Sequence, residues 1–372
     1  MKDEGVKPLA SRRRVLLLLG GLLAAPKVFA RLTTHESRLK PFASVVPGYG
    51  LRFPDDEGSH PDFRIEWWYI TGWLNEATQP LGFQITFFRA RPELKEENPS
   101  AFTPHHILIA HAALSDTRAG KLIHAQRAAR AGFGLAGAEE GRTRVWIDDW
   151  LLTHENNAYR ARLAAPDFEF DFNFAVTQPP LLQGGNGLSR KGPAPESASY
   201  YYSLPHLQVI GTLVREGKPQ SVTGSAWLDH EWSSSYMAKE AVGWDWIGIN
   251  LTDGGALMAF RMRDKQGGSF WSGGALRRSD GSVQIFSPSD IRFTPRREWR
   301  SVRTGTSYPV SWSIKAGDLE LAIEPLMDNQ ENDTRATSGT IYWEGAVRAL
   351  RQGKLAGLGY LELTGYWRRV DL

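Results

Sequence analysis

The strongest pattern along the chain is a run of aromatic and β-branched residues at positions 63–74. This composition is typical of a β-strand, whose side chains alternate between two faces. Both faces are largely apolar, which predicts that both are covered. Glu66 interrupts the pattern, and a buried carboxylate needs hydrogen-bond donors or a cation. Arg89, on the next predicted strand, could reach it, so Glu66 is either a structural residue or a functional carboxylate in a pocket.

Short alternating segments separated by turn residues continue to the C-terminus, and long helical periodicity is missing almost everywhere. This pattern predicts an all-β protein built from sandwiches or barrels. A Pro- and Gly-rich segment, residues 178–196, predicts a long mobile loop or a lid. The predicted strands after the first are 82–89, 105–115, 122–127, 144–152, 159–163, 168–176, 206–214, 224–232, 243–251, 256–263, 269–277, 283–287, 308–315, 319–325, 338–349 and 357–366.

The length of 372 residues favours two domains. The first 30 residues have the features of an export signal, because Arg12 and Arg13 precede an apolar run that is too short to span a bilayer. The twin arginines indicate Tat export, and cleavage after Ala30 would release a periplasmic protein. The predicted organisation is a signal peptide at 1–30, a β-domain at 31–234 and a second β-domain at 235–372.

Charge and cysteine content exclude several classes of protein. Residues 1–30 carry a net charge of +4 in a chain whose total is +3, so the remainder is close to −1 and lacks the basic surface of a nucleic-acid-binding protein. The chain has no Cys, which excludes disulfides and thiol chemistry. No segment after residue 30 has the roughly 18 consecutive apolar residues of a membrane span. The 14 Trp are as suited to lining apolar cavities as to filling cores.

The densest polar cluster is Asp229-His230-Glu231, which lies between Trp227 and Trp232. On a strand, His230 points away from its two acidic neighbours. A histidine in such a setting is either held structurally by a carboxylate or carbonyl, or acts as an acid or base near neutral pH. The spacing of the His and Glu residues matches no metal motif, and no serine-hydrolase motif is present. The sequence therefore predicts no metal and no cofactor.

Three motifs carry a family resemblance: Glu66-Trp67-Trp68-Tyr69, Tyr201-Tyr202-Ser203, and the segment Trp227-Leu228-Asp229-His230-Glu231-Trp232. Together they resemble the AttH/carotenoid 1,2-hydratase family over roughly residues 45–370. The resemblance implies two consecutive lipocalin-like β-domains with an apolar ligand cavity near their junction. Members of that family include carotenoid hydratases, fungal pericyclases and exported proteins encoded with ABC exporters.

The hydratase branch of that family places a His and a Trp in its site, and these match His230 and Trp232. Its proton donor, an Asp on a later strand, has no counterpart inside the strand at 257–263, and Asp264 already belongs to the turn, so Asp245 or Glu66 would have to replace it. The resemblance and the Trp-rich settings together give three candidate catalytic residues and four candidate pocket walls. The catalytic candidates are Glu66, His230 and Asp245, and the ligand-binding candidates are Trp68, Tyr202, Trp232 and Trp246.

Three functions follow as expectations. The first is an exported carrier of an apolar lipid, isoprenoid or polyene, working alone or with an ABC exporter. The alternative is an enzyme, a hydratase, isomerase or cyclase acting on a polyene or isoprenoid. A third is a structural partner of an ABC exporter with no ligand of its own. The aromatic content and the expected barrel cavity favour an apolar ligand in the first two cases.

Overall fold

The computed structural model describes residues 41–75, 79–93, 100 and 102–370. Within them the chain forms two antiparallel β-sheets, and the helices are two short 3-10 turns, Asp55–Glu57 and Pro288–Asp290. This confirms the predicted all-β class. The predicted signal peptide at 1–30 lies outside the described residues. In the part of the chain that is described, no helix has the length and apolar character needed to cross a membrane.

The first sheet contains thirteen of the described strands. They are β1 (Ile65–Asn75), β2 (Leu81–Ala90), β3 (Ile107–Asp116), β4 (Lys121–Arg130), β5 (Ala136–Ala138), β6 (Arg144–Ile147), β7 (Trp150–Glu155), β8 (Ala158–Ala164), β9 (Phe168–Ala175), β10 (Leu181–Leu182), β11 (Leu188–Arg190), β12 (Ala198–Arg215) and β13 (Lys218–Ser233). The sheet order is β4-β3-β2-β1-β13-β12-β9-β8-β7-β6-β5, and β10 and β11 pair with β12. The sheet curls into a nearly closed barrel, so that β4 and β5 approach each other.

The second sheet contains the other ten described strands. They are β14 (Gly243–Leu251), β15 (Ala256–Arg263), β16 (Ser269–Arg277), β17 (Val283–Phe286), β18 (Ile291–Arg300), β19 (Ser307–Ala316), β20 (Leu319–Pro325), β21 (Glu331–Asp333), β22 (Ile341–Arg351) and β23 (Lys354–Leu363). The order is β17-β16-β15-β14-β23-β22-β20-β19-β18, with β21 on β22. The predicted domain boundary near residue 235 falls between the last strand of one sheet and the first strand of the other, and the independence of the two domains stays a prediction.

Strand β1 lies in the middle of the first sheet, between β2 and β13. Trp68, Ile70 and Leu74 on one face join the core inside the first sheet. On the other face, Tyr69 and Trp73 pack against the second sheet, where Trp73 Nε1 donates a 2.9 Å hydrogen bond to the Gly359 carbonyl. The prediction that both faces of this strand are covered is confirmed.

The first hairpin of each sheet carries a buried carboxylate directly opposite an arginine. In the first sheet Glu66 on β1 pairs in register with Arg89 on β2. In the second sheet Asp245 on β14 pairs in register with Arg261 on β15. Because both pairs point into the interior of their own sheet, the two halves of the chain repeat one arrangement.

Two local predictions are corrected by the structure. Residues 178–196 do not form a free loop, because β10 and β11 pair with β12 and the side chain of Lys191 is buried. The ammonium of Lys191 lies 2.8 Å from Glu231 and 4.2 Å from the centre of the Phe260 ring, so a cation anchors this segment between the sheets. Residues 144–152, predicted as one strand, form β6 and β7 around a turn in which Asp148 has a φ of 53°.

Acidic side chains are buried on the face between the sheets. Glu344 on β22 is 2% exposed and lies directly opposite Glu362 on β23. Burial raises the pKa of Glu362 to about 7, and the charges of Glu231 and Asp245 add to this effect. Burial and the neighbouring Glu362 raise the pKa of Glu344 well above its ordinary value. The two glutamates therefore favour a protonated state when the chain is folded.

Glu362→Gln should flatten the pH dependence of the free energy of unfolding. Because the folded pKa of Glu362 is raised, its contribution to stability is complete below the unfolded pKa and is lost as pH rises through about 7. Relative to the variant, the wild type should lose about 2 kcal/mol between about pH 5 and about pH 8. Urea unfolding at several pH values measures this, with the exposed Glu155→Gln as control. Parallel stability curves for wild type and Glu362→Gln would contradict the assignment.

Candidate functional site

The interior of the first sheet holds a buried carboxylate shared by one arginine and two histidines. Glu66 is 0% exposed, and its Oε2 accepts a 2.8 Å hydrogen bond from Arg89 Nε. Its Oε1 lies 2.7 Å from His60 Nδ1 and 3.0 Å from His230 Nε2. The Ser59 hydroxyl and the His60 backbone N–H also donate to this carboxylate. Glu66 is therefore paired on both oxygens, and the predicted Glu66–Arg89 contact is confirmed.

The strand register brings these groups together. Glu66 lies opposite Arg89 on one side and opposite Trp232 of β13 on the other. His230, two residues before Trp232, shares its face and points inward, while Asp229 points to the opposite face, where the Tyr201 hydroxyl donates to it. His60 comes from the loop that follows the Asp55–Glu57 turn. The site therefore combines side chains from three neighbouring strands, β1, β2 and β13, with one side chain from a loop.

Aromatic rings enclose the imidazoles. Trp232 stacks on His60 with ring centres 3.7 Å apart, and Trp68 stacks on His230 at 4.7 Å. The Tyr202 hydroxyl lies 3.3 Å from His230 Nδ1, so both ring nitrogens of His230 have a polar neighbour. These contacts fix the orientation of both imidazole rings.

The pKa values of the three ionisable groups in the cluster are shifted in different directions. Burial would raise the pKa of Glu66, but Arg89 and the two histidines hold that pKa well below its usual range. Burial would lower the pKa of His60, but the carboxylates of Glu66 and Asp56 raise it above its ordinary value. Burial lowers the pKa of His230 in spite of its contact with Glu66. A proton entering the cluster is therefore favoured on His60 over His230.

Several buried polar atoms near the cluster have no hydrogen-bond partner among the described residues: Trp232 Nε1, Tyr159 Oη and His154 Nε2. His154 Nδ1 contacts Glu57 at 2.6 Å, and its ring stacks on Tyr159 at 4.1 Å. Buried polar groups are normally satisfied, so ordered water is the expected partner of such atoms.

The structure brings together five of the seven residues predicted for the site: Glu66, His230, Trp68, Tyr202 and Trp232. Asp245 lies elsewhere, inside the second sheet, at 2.6 Å from Arg261 Nε and 3.1 Å from Arg263 Nε, and it also accepts a hydrogen bond from Tyr366. Trp246 lies between the sheets, where its Nε1 donates to the Tyr201 hydroxyl. These two residues are separated from the cluster by the first sheet itself.

Sequence reasoning missed His60 and Asp56. His60 Nε2 lies 3.1 Å from Asp56 Oδ1, so this imidazole stands between two carboxylates. The sequence feature that could have indicated these two residues is the four-residue spacing between an acid and a His in the segment before the aromatic strand. That signal is weak, because loop geometry is not determined by local periodicity.

A separate cleft of about 150 Å³ opens between the two sheets, on the other face of β1. It does not include the residues of the cluster. Its lining combines aromatic and polar groups, among them Thr71, Trp73, His206, Asn250, Leu358 and Tyr360.

Comparison with known proteins gives concordant results. A family model described as AttH-like matches residues 44–366. The crystal structure of a protein from Nitrosomonas europaea assigned to AttH is 53% identical, with 87% of this chain and 100% of that chain covered and a TM-score of 0.82. Kievitone hydratase from Nectria haematococca is 15% identical over 88% of this chain and 98% of its own, with a TM-score of 0.65, and so shares the fold.

A curated relative is the dehydratase asqC of Emericella nidulans, which is 22% identical over 264 residues, 63% of this chain and 67% of the relative. The AttH-like match covers most of the chain. The Nitrosomonas protein is identical to this chain at more than half of the aligned positions, and the alignment covers 87% of this chain. The chain is therefore a member of the AttH-like family.

Proposed function

We propose that this protein is an enzyme that adds water to, or removes water from, a small apolar molecule with an unsaturated carbon skeleton. The observation that carries this proposal is the buried Glu66 carboxylate that contacts two imidazoles inside an aromatic enclosure. Proton transfer by positioned His and Glu side chains is the main requirement of such a reaction. The exclusion of bulk water strengthens every charge interaction in the site.

Each group has a role that its contacts support. Arg89 keeps Glu66 anionic, and Glu66 orients both imidazoles through Oε1. In hydration, one alkene carbon takes a proton from the cluster, the neighbouring carbon takes the oxygen of water, and the second proton of that water returns to the cluster. Dehydration is the reverse. The faces of Trp68 and Trp232 stabilise the positive charge that develops on carbon.

Two relatives support this reaction class by analogy. One solved protein with this fold is named a hydratase, and the curated relative is named a dehydratase. Residues 257–263, where the hydratase branch would carry its acid, form most of β15 in the second sheet and contain no carboxylate, and Asp264 follows the strand. There Arg261 pairs with Asp245. The acid in this chain is therefore assigned to the histidine–glutamate cluster of the first sheet.

Export is part of the proposal, and its support is the twin-arginine segment at the N-terminus. We propose a periplasmic enzyme whose ligand is an isoprenoid, a polyene or another lipid. We also propose that the protein works with an ABC exporter. This part of the proposal rests on the resemblance of the three sequence motifs to the AttH family.

Trp232→Phe should weaken binding of an apolar ligand more than it lowers stability. Trp232 Nε1 has no hydrogen-bond partner among the described residues, so the substitution keeps most of the ring and breaks no described hydrogen bond. Trp312→Phe is a matched control, because Trp312 is also buried with an unpaired Nε1 but lies in the second sheet. Binding is measured with a panel of fatty acids, isoprenoids and carotenoids, and organic extracts of the native protein are analysed by mass spectrometry. A protein that is empty and binds none of the panel would contradict the apolar ligand.

Glu66→Gln should abolish most turnover, because it removes the anion that orients both imidazoles. General acid–base catalysis contributes about 10²–10⁴-fold, so we expect a loss of that size in kcat/KM. The measurement is incorporation of heavy oxygen from labelled water into substrates that the panel identifies.

Asp245→Asn is the matched control for that variant, because it breaks the equivalent buried pair in the second sheet. Each substitution should cost about 3–5 kcal/mol of stability, since its arginine partner loses the opposite charge. Rates are therefore normalised to folded protein. Equal turnover in Glu66→Gln and Asp245→Asn would show that Glu66 is a core residue without a catalytic role.

A further inference from the structure

Three nitrogen and oxygen atoms in the first sheet converge on one point. His60 Nδ1, Glu66 Oε1 and His230 Nε2 lie within 4.8 Å of one another. Glu66 and His230 are 164 positions apart in the sequence, so no linear motif indicates the set. Two imidazoles and one carboxylate are the ligand set of a common class of catalytic zinc sites, in which a fourth position stays open.

The atoms that would not contact a metal are held by outer partners. His60 Nε2 lies 3.1 Å from Asp56 Oδ1, and His230 Nδ1 lies 3.3 Å from the Tyr202 hydroxyl. Glu66 Oε2 accepts its hydrogen bond from Arg89 Nε, which leaves Oε1 facing the two imidazoles. Metal-ligating histidines almost always have such a partner on the other nitrogen, because it fixes the tautomer and the ring orientation.

Packing and charge suit a dication. Trp232 and Trp68 stack on the two imidazoles and fix their planes. Asp56 and Glu66 supply two carboxylates to the cluster, and the buried guanidinium of Arg89 is hydrogen-bonded to Glu66. The atom pairs at 2.7 and 3.0 Å must open to about 3.3 Å, the edge of a tetrahedron with bonds of about 2.0–2.1 Å. The two imidazole nitrogens, which lie within 4.8 Å of each other, must reach the same separation. His60 belongs to a loop and can supply this movement.

We propose that His60, Glu66 and His230 form a binding site for a transition-metal dication, specifically Zn²⁺. Calcium and magnesium fit poorly, because both prefer oxygen ligands and two of the three atoms here are nitrogens. Bound zinc occupies the lone pairs that the proton transfers would use, so the loaded protein is an inhibited state. Binding does not depend on the proposed function, whereas inhibition rests on it.

The test is the zinc content of the full folded protein. Chelator-treated protein is mixed with ZnCl₂, passed through gel filtration and analysed for zinc by mass spectrometry, and the affinity is measured by titration. One zinc per chain is expected. Loss of an outer partner weakens metal binding about 10–100-fold, so Asp56→Asn should fall in this range and His60→Gln should exceed it. His105→Gln, at an exposed histidine, is the control and should bind like the wild type.

His60 is the ligand chosen for mutation because it is partly exposed and belongs to a loop, so the fold should survive. Circular dichroism checks this, and Asp56→Asn tests the same site without removing a ligand. Wild-type protein that retains no zinc, or His60→Gln that binds zinc as the wild type does, would overturn the proposal. Zinc binding by a protein whose zinc-free, chelator-treated form has no hydratase activity would contradict only the proposed function, whereas activity in a protein that binds no zinc would contradict only the metal site.

Discussion

The pairing of Glu66 with Arg89 is the constraint on which the interior of the first sheet depends. A carboxylate and a guanidinium can remain ionised in a core only if both are paired and hydrogen-bonded. The in-register hairpin of β1 and β2 places them face to face. The Ser59 hydroxyl, the His60 backbone N–H and the imidazoles of His60 and His230 use the remaining acceptor capacity of the carboxylate. The aromatic walls and the loop before β1 are arranged around this satisfied charge.

The second sheet uses the same hairpin arrangement for a different purpose. Asp245 is paired with Arg261, Arg263 and Tyr366, so its acceptor capacity is used by two cations and a phenol, and none of the imidazoles that the structure describes is among its partners. The two hairpins therefore use the same carboxylate–arginine pair in two different ways. A carboxylate enclosed by arginines serves stability, whereas one shared between histidines can exchange a proton or bind a cation.

Much of this architecture could be predicted from the sequence, because alternation along β1 and β13 fixes which side chains share a face. Alternation put Glu66 with Trp68 on one face of β1 and separated His230 from its acidic neighbours on β13, and it suggested Arg89; the pairing of β1 with β13, which joins the two sets, came from the structure. Alternation could not place Asp245, because a Trp-rich strand with a central acid looks the same in either sheet. It also could not find His60, whose position depends on a loop, or the pairing of residues 178–196 with β12, which depends on contacts distant in sequence.

The register of β1 against β13 has a consequence for the order in which the chain folds. Glu66 and His230 are 164 residues apart, and they meet only when β13 inserts beside β1 in the middle of the sheet. Such non-local pairing carries a loop-closure cost and slows folding. While the chain is synthesised, the β1–β2 hairpin must exist for a time with one edge open. Completion of the histidine–glutamate cluster is therefore a late event, and its formation would mark a chain whose first sheet is fully assembled.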